Sequence, residues 1–218
     1  MMQSFWEKSW MNIKEERIEE YLQKMQAEPD ELIDYLRQLK VHTICDAGCG
    51  CGAYMLKLAA NGFEVSGFDV SAHAVDLSQK LLSRVGLQAK LKTASVLCTG
   101  YKDNQFDCVL SRDVIDHMSK QDAKSGLKEL VRITKPDGRI IAIVDFLDEE
   151  YEEQPHFVNQ EGDYIFTAGK WNGMIFHPYT EKELWEILPN EVDGEIKKMR
   201  EGFYIELRKA KKIVEGDV

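Results

Sequence analysis

The chain has 218 residues, 44% of them hydrophobic, and a formal net charge of −10. This is enough for one large domain with at most a small elaboration, and the acidic balance disfavours a broad nucleic-acid footprint, which needs clustered Lys and Arg. No apolar run has membrane length, and the opening Met-Met-Gln-Ser-Phe-Trp-Glu-Lys lacks the apolar core of a signal peptide, so a cytoplasmic location is expected.

Phe5 to Gln26 reads as a helix, with apolar residues at 6, 10, 13, 18, 21, 22 and 25. Pro29 is placed to open a second helix running to about Lys40. Val41 to Cys45 is a short strand. It enters Asp46-Ala47-Gly48-Cys49-Gly50-Cys51-Gly52, an acid followed by three glycines spaced two apart. Glycine has no Cβ, so such a turn between a strand and a helix can approach a ligand closely. A helix from Gly52 to Ala60 follows, stopped by Asn61-Gly62.

Phe63 to Phe68 is the next strand and ends in Asp69. Ser71 caps a helix running to Val85. Ala89 to Ala94 and Phe106 to Ser111 are further strands. Ser119-Lys120-Gln121-Asp122 resembles a capping box and opens a helix to about Thr134. Lys135-Pro136-Asp137-Gly138 reads as a turn before a fifth strand, Arg139 to Asp145, whose apolar centre from Ile140 to Val144 implies burial on both faces.

Beyond it, residues 145–163 carry acids at 145, 148, 149, 150, 152, 153, 161 and 163 and no Lys or Arg. This stretch reads as a solvated loop, with electrostatic steering of a cationic acceptor as the alternative. Asp163–Ala168 and Asn172–His177 read as a hairpin around Gly169-Lys170-Trp171. Thr180 to Leu188 is a helix with Thr180 and Glu183 in capping-box positions. Glu191–Met199 and Phe203–Arg208 read as an antiparallel pair at the sheet edge. The local positive charge of Lys197–Lys212 reads as a solvated face.

Strands alternating with helices imply a parallel sheet covered on both faces. Ligands on such sheets bind beyond the carboxyl ends of the strands. Asp46, Asp69, Ser95 and Arg112 all fall at such ends. The cysteines at 45, 49, 51, 98 and 108 are odd in number and lack a companion pair with zinc spacing. They read as small apolar residues, with no metal expected.

These elements resemble, in order, the class I methyltransferases that use S-adenosylmethionine (SAM). Asp46-x-Gly48-x-Gly50-x-Gly52 matches the family's first motif. Phe68-Asp69-Val70-Ser71 resembles its second-strand acid motif. Phe106 to Arg112, with Asp116-His117, is similar to its fourth-strand segment, and Leu127 to Gly138 to its helix and turn before the fifth strand. The resemblance is good over 41–145 and weaker to Lys209. The same glycines satisfy Gly48-x-Gly50-x-x-Ala53, a dinucleotide fingerprint, with Asp69 placed as a ribose acid in either family. That signal alone does not separate NAD from SAM. Asp46, the helical N-terminus and the terminal strand pair favour SAM.

The resemblance implies an α/β, Rossmann-like fold: a seven-stranded, mostly parallel sheet with helices on both faces and an antiparallel terminal pair. It implies that residues 1–40 cap the cofactor site and that 41–218 form the methyltransferase domain, with a substrate-side insertion at about 146–179. The implied cofactor contacts are Asp46 near the SAM amino group, the turn at Gly48, Cys49 and Gly50, Asp69 and Val70 at the ribose, and Ser95 and Val96 beside the adenine. Arg112 and His117 fall on the methyl-transfer side.

A proton-bearing acceptor would call for a base. Asp113, His117, His177 and Tyr179 are the candidates, with no catalytic residue singled out. Phe5, Trp6, Trp10, Trp171 and Phe176 are candidates for the acceptor side, with plain helix or hairpin packing as the alternative. The expected acceptor is a small molecule. A protein or RNA methyltransferase and a non-catalytic SAM-binding module remain alternatives, with an NAD oxidoreductase behind them. Oligomeric state is not legible.

Overall fold

The computed structural model describes residues 2–27 and 30–211. Helices α1 (Met2–Met11), α2 (Glu15–Ala27) and α3 (Glu31–Gln38) come first. The single helix expected over Phe5–Gln26 is therefore two. Asn12 provides the break: its side-chain amide donates to Lys8 O at 2.7 Å, a bond that competes with continuing the helix. Pro29, expected to open the next helix, lies outside the described residues.

The alternating part follows as β1 (Thr43–Ala47), α4 (Ala53–Ala60), β2 (Glu64–Asp69), α5 (Ala72–Arg84), β3 (Lys90–Thr93), β4 (Phe106–Arg112), α6 (Lys120–Ile133) and β5 (Thr134–Asp145). Ser71 Oγ accepts the Ala74 N–H at 3.1 Å and Ser119 Oγ the Asp122 N–H at 3.1 Å, so both expected helix caps form. Lys135–Gly138 does not leave the sheet as a free turn. It is a bulge within β5, where the register against β4 shifts between Phe106 and Cys108 and Asp137 takes φ 63°. Lys135 Nζ holds the bulge beside β4 through Asp107 Oδ1 at 2.7 Å.

Beyond β5 come α7 (Glu149–Glu152), β6 (His156–Val158), β7 (Tyr164–Phe166), a 3₁₀ turn (Gly169–Trp171), β8 (Ile175–Phe176), α8 (Glu181–Ile187), β9 (Val192–Lys198) and β10 (Gly202–Lys209). The expected hairpin is β7 against β8, with Ile165 opposite Ile175. β6 adds a third strand, antiparallel to β7. Three residues are too few to show alternation in a sequence. The acidic stretch expected as a solvated loop is thus folded into α7 and β6, and Asp148 caps α7 by accepting the Tyr151 N–H at 2.9 Å.

The main sheet has the order β3-β2-β1-β4-β5-β10-β9. The first five strands run parallel, while β10 is antiparallel to both neighbours. Strand order reverses between β1 and β4, so the crevice outside their carboxyl ends is the natural ligand site. Alternate residues enter opposite cores. Ile44, Cys108, Leu110 and Ile141 join Leu36, Met55 and Leu82 on one side. Cys45, Val109, Ile140 and Ala142 join Leu127, Leu130 and Leu184 on the other. This is the expected α/β fold. A third apolar cluster, built on Phe5, Phe166, Met174 and Phe176, ties α1 to the three-stranded sheet. Among the described residues, no helix is long and apolar enough to cross a membrane.

Candidate functional site

The turn after β1 is built for close approach. Gly48, Gly50 and Gly52 adopt φ of 75°, 53° and 82°, a region costly for residues with a Cβ. A Cβ on Gly48 would sit 2.4 Å from Val114 Cγ2, and one on Gly50 would sit 2.7 Å from Trp10 Cζ2. The Gly48 and Cys49 N–H groups both donate to Phe68 O, at 2.8 and 3.0 Å. The Gly50 carbonyl accepts from Ser78 Oγ at 2.7 Å.

Asp69, the last residue of β2, stands beside this turn. Its Oδ2 accepts the Gly50 N–H at 3.0 Å and its Oδ1 the Ser71 N–H at 2.9 Å. Burial raises its pKa against these bonds. Asp46 is 5% exposed. Burial pushes its carboxyl up to about 7, with Arg112 opposing and Asp69 adding to the rise. Arg112 ends β4 and stacks on Tyr54 of α4, its guanidinium carbon 4.1 Å from the ring centre. Ser95 follows β3 in a turn, with its Oγ accepting the Leu97 N–H at 3.2 Å. Ala94 N–H donates to Asp69 O at 2.9 Å and anchors that turn to the same rim.

The α1 helix lies across the rim. Trp10 covers Gly50, and Glu7 Oε2 accepts the His73 N–H at 3.4 Å, at the start of α5. Trp6 meets the His117 ring edge to face at 5.0 Å. Phe176 and Tyr151 also face His117, at 5.4 and 6.4 Å. Burial pushes the imidazole down to about 4, so it is neutral at pH 7 despite the nearby Asp113 and Asp145.

Residues 44–138 match the family model described as a methyltransferase domain. The match runs from β1 through the β5 bulge and so contains the glycine turn, Asp69 and the segment after β4.

Over that span the chain is similar to methyltransferase domains.

The phosphoethanolamine N-methyltransferase 3 of Arabidopsis thaliana is 30% identical over 134 residues, which are 58% of this chain and 26% of that protein. Two solved structures share the fold. The PH0226 protein of Pyrococcus horikoshii has a TM-score of 0.71 at 19% identity, covering 92% of this chain and 93% of that one. A SAM-dependent methyltransferase of Methanosarcina mazei has 0.64 at 23% identity, covering 78% and 93%. The chain spans between about a quarter and a half of the length of the first curated relatives that it matches.

In the structure, Asp46, Gly48, Cys49, Gly50, Asp69, Ser95 and Arg112 lie along one rim, with Val70 next to Asp69. Val96 contributes its side chain to the core, beside Gly126. Phe5, Trp6, Trp171 and Phe176 gather in the aromatic cluster, while Trp10 stands apart over the glycine turn. The base candidates differ in setting. Asp113 is exposed and left-handed, with φ 53°. His177 is buried, and its Nδ1 lies 2.8 Å from Asp163 Oδ1. The Tyr179 side chain is buried beside His177, and burial raises its pKa.

Sequence reasoning did not single out Asp116, Tyr151, Tyr54 or Glu7 as site residues. Asp116 was visible as part of a motif. Tyr151 sat in the stretch taken for a solvated loop, where the surrounding acids masked its burial.

Proposed function

We propose that this protein is a methyltransferase that binds SAM at the β1–β4 crevice and transfers its methyl group to a small-molecule acceptor. The observation that carries this reading is the Asp69 carboxylate, fixed by two N–H groups beside a left-handed glycine turn at the switch point of the sheet.

The residues present fit the group. Gly48 and Gly50 add no side chain of their own to a turn that Val114 and Trp10 approach closely. Asp69 retains lone pairs beyond those used by Gly50 and Ser71, which suits both hydroxyls of a ribose. Asp46 is a buried acid near neutrality, and an ammonium group beside it would restore its charge. Ser95 closes the adenine end. Bound there, SAM supplies an electrophilic methyl group on a sulfonium. The protein's own task is to align the acceptor and to exclude water. Alignment of that kind is worth roughly 7–11 kcal/mol in well-oriented systems.

We assign α1 of the expected 1–40 cap to a place over this crevice, through Trp6, Glu7 and Trp10, whereas α3 packs Ile33 and Leu36 into the core beside the sheet. The segment at about 146–179 forms the acceptor-side wall. The small-molecule reading is supported by the enclosed aromatic cluster and by relatives named for small acceptors. The five cysteines are unpaired, the state that a reducing cytoplasm maintains, and we place the protein there.

Calorimetric titration with S-adenosylhomocysteine (SAH) and, separately, with NAD tests the reading. The expected outcome is SAH binding with no NAD signal. At 100 times its dissociation constant, SAH should also stabilise the fold by about 2.7 kcal/mol. Binding of NAD without SAH would reject the reading.

A further inference from the structure

A cleft of about 410 Å³ opens at the amino end of β1, the end opposite the glycine turn. Its lining includes Arg37 and Lys40 at the end of α3, Val41 and His42 before β1, and Asn61 and Phe63 between α4 and β2. Small molecules bind in clefts of this size. Buried Val41 and half-buried Phe63 belong to the core and give the cleft its apolar floor. The polar wall carries Arg37, Lys40 and His42 and no acid, in a chain of net charge −10.

Arg37 is held in place across the cleft. Its Nη2 donates to Asn61 Oδ1 at 2.9 Å, and its Nη1 lies 3.5 Å from Asp34 Oδ1. Asn61 is fixed in turn, with its Nδ2 donating to Lys57 O at 3.0 Å. A guanidinium has five N–H donors, so Arg37 keeps some to spare.

Lys40 has φ 56°. Its N–H and that of Val41 donate to Arg37 O and Leu36 O, both at 3.0 Å, and close the helix end. Glycine is the usual residue at such a left-handed position, because it has no Cβ. Here the position carries a lysine. Among the described residues, neither the Lys40 ammonium nor the His42 ring has a hydrogen-bond or ion-pair partner.

The acids next to this stretch are already committed. Asp34 faces Arg37, Glu64 is paired with Lys90 at 2.6 Å, and Asp107 is paired with Lys135 at 2.7 Å. Asp107 also accepts the His42 backbone N–H at 3.1 Å.

We propose that this cleft is a second binding site, separate from the β1–β4 crevice, for a phosphate monoester whose organic group is apolar. The class follows from the donors. Arg37, Lys40 and an imidazole N–H come from three different side chains, and a phosphate presents three terminal oxygens to meet them where a carboxylate has two. Val41 and Phe63 call for the apolar group. A lysine near a helix end also offsets the helix dipole, a role that needs no ligand and predicts no binding. The site does not depend on methyl transfer.

The test is NMR titration of nitrogen-15-labelled protein with phenyl phosphate, set against benzoate and benzyl alcohol. Phenyl phosphate should give saturable shifts across 37–42 and 61–63 while 46–52 stays unmoved. Benzoate should bind about tenfold more weakly, and benzyl alcohol should cause no shift. Lys40→Gly should keep or raise the Tm of the ligand-free protein, since glycine suits the left-handed backbone. The same variant should weaken phenyl phosphate about tenfold. Arg37→Gln should weaken it similarly.

No saturable shift up to about 10 mM phenyl phosphate, or shifts confined to other residues, would overturn the proposal. Benzoate binding as tightly as phenyl phosphate would overturn the ligand class. Unchanged affinity in Lys40→Gly would reject the site, as would unchanged affinity in Arg37→Gln should Lys40→Gly fail to fold.

Discussion

At the scale of single residues, two acids at the rim do different work. Asp69 is structurally committed, accepting from Gly50 and Ser71. Asp69→Ala would remove the proposed ribose acceptor and also orphan those two N–H groups. Hydrogen bonds to charged groups contribute about 1.5–3 kcal/mol each, so SAH affinity should fall roughly 100-fold or more by calorimetry. Asp69→Asn, which keeps one acceptor oxygen, should lose less. Equal affinity in wild type and Asp69→Ala would remove Asp69 from the cofactor site. Asp46 has a carboxyl near 7, so its charged form grows as pH rises. SAH binding should therefore tighten between pH 6 and 8, and that slope should vanish in Asp46→Asn.

At the scale of elements, α1 carries its contacts almost entirely to the rim and to the aromatic cluster. Trp6, Glu7 and Trp10 touch the segment after β4, the start of α5 and the glycine turn. Elements with such local contacts open more readily than core strands. SAH should slow amide hydrogen exchange across 2–11 and 48–52 while leaving β4 unchanged, and an unaltered α1 would argue against its proposed role as a cap. The α8 helix has the opposite character. Thr180 and Glu183 form a reciprocal capping box, and Glu183 also binds Lys120. Thr180→Ala should cost about 1 kcal/mol and lower Tm by about 2–4 °C, read by thermal melting.

At the scale of the whole molecule, buried acids set the pH dependence of stability. Asp46 and Asp116 are both raised by burial to about 7, so between about pH 4 and 7 the folded state binds more protons than the unfolded state. Their contribution falls as pH rises through that window. His117, lowered by burial to about 4, acts in the opposite sense between about 4 and 6.5 but is one group against two. Asp107 and Glu183 are held near 2 by Lys135 with Thr43 and by Lys120 with Thr180, against burial that pushes both up, and Glu129 by its bond to Arg132. Their stabilisation is present above the ordinary carboxylate range and is lost as pH falls below it. The ligand-free Tm should therefore peak near pH 5 and decline toward pH 8. A Tm that rises steadily to pH 8 would contradict the placement of Asp46 and Asp116.

What sequence alone determined was the alternating core and its rim. The glycine turn, Asp69 and the caps at Ser71, Ser119 and Thr180 are local signals, set by backbone conformation and by short-range hydrogen bonds. The apolar centres of β1, β4 and β5 likewise follow from burial on both faces. The α1–α2 break, the β5 bulge and β6 were hidden because each depends on one bond or on three residues. Tertiary structure alone decided how the segment after β4 meets residues 151–176. His117, Tyr151, Trp171 and Phe176 come from separate segments, and only packing makes them neighbours.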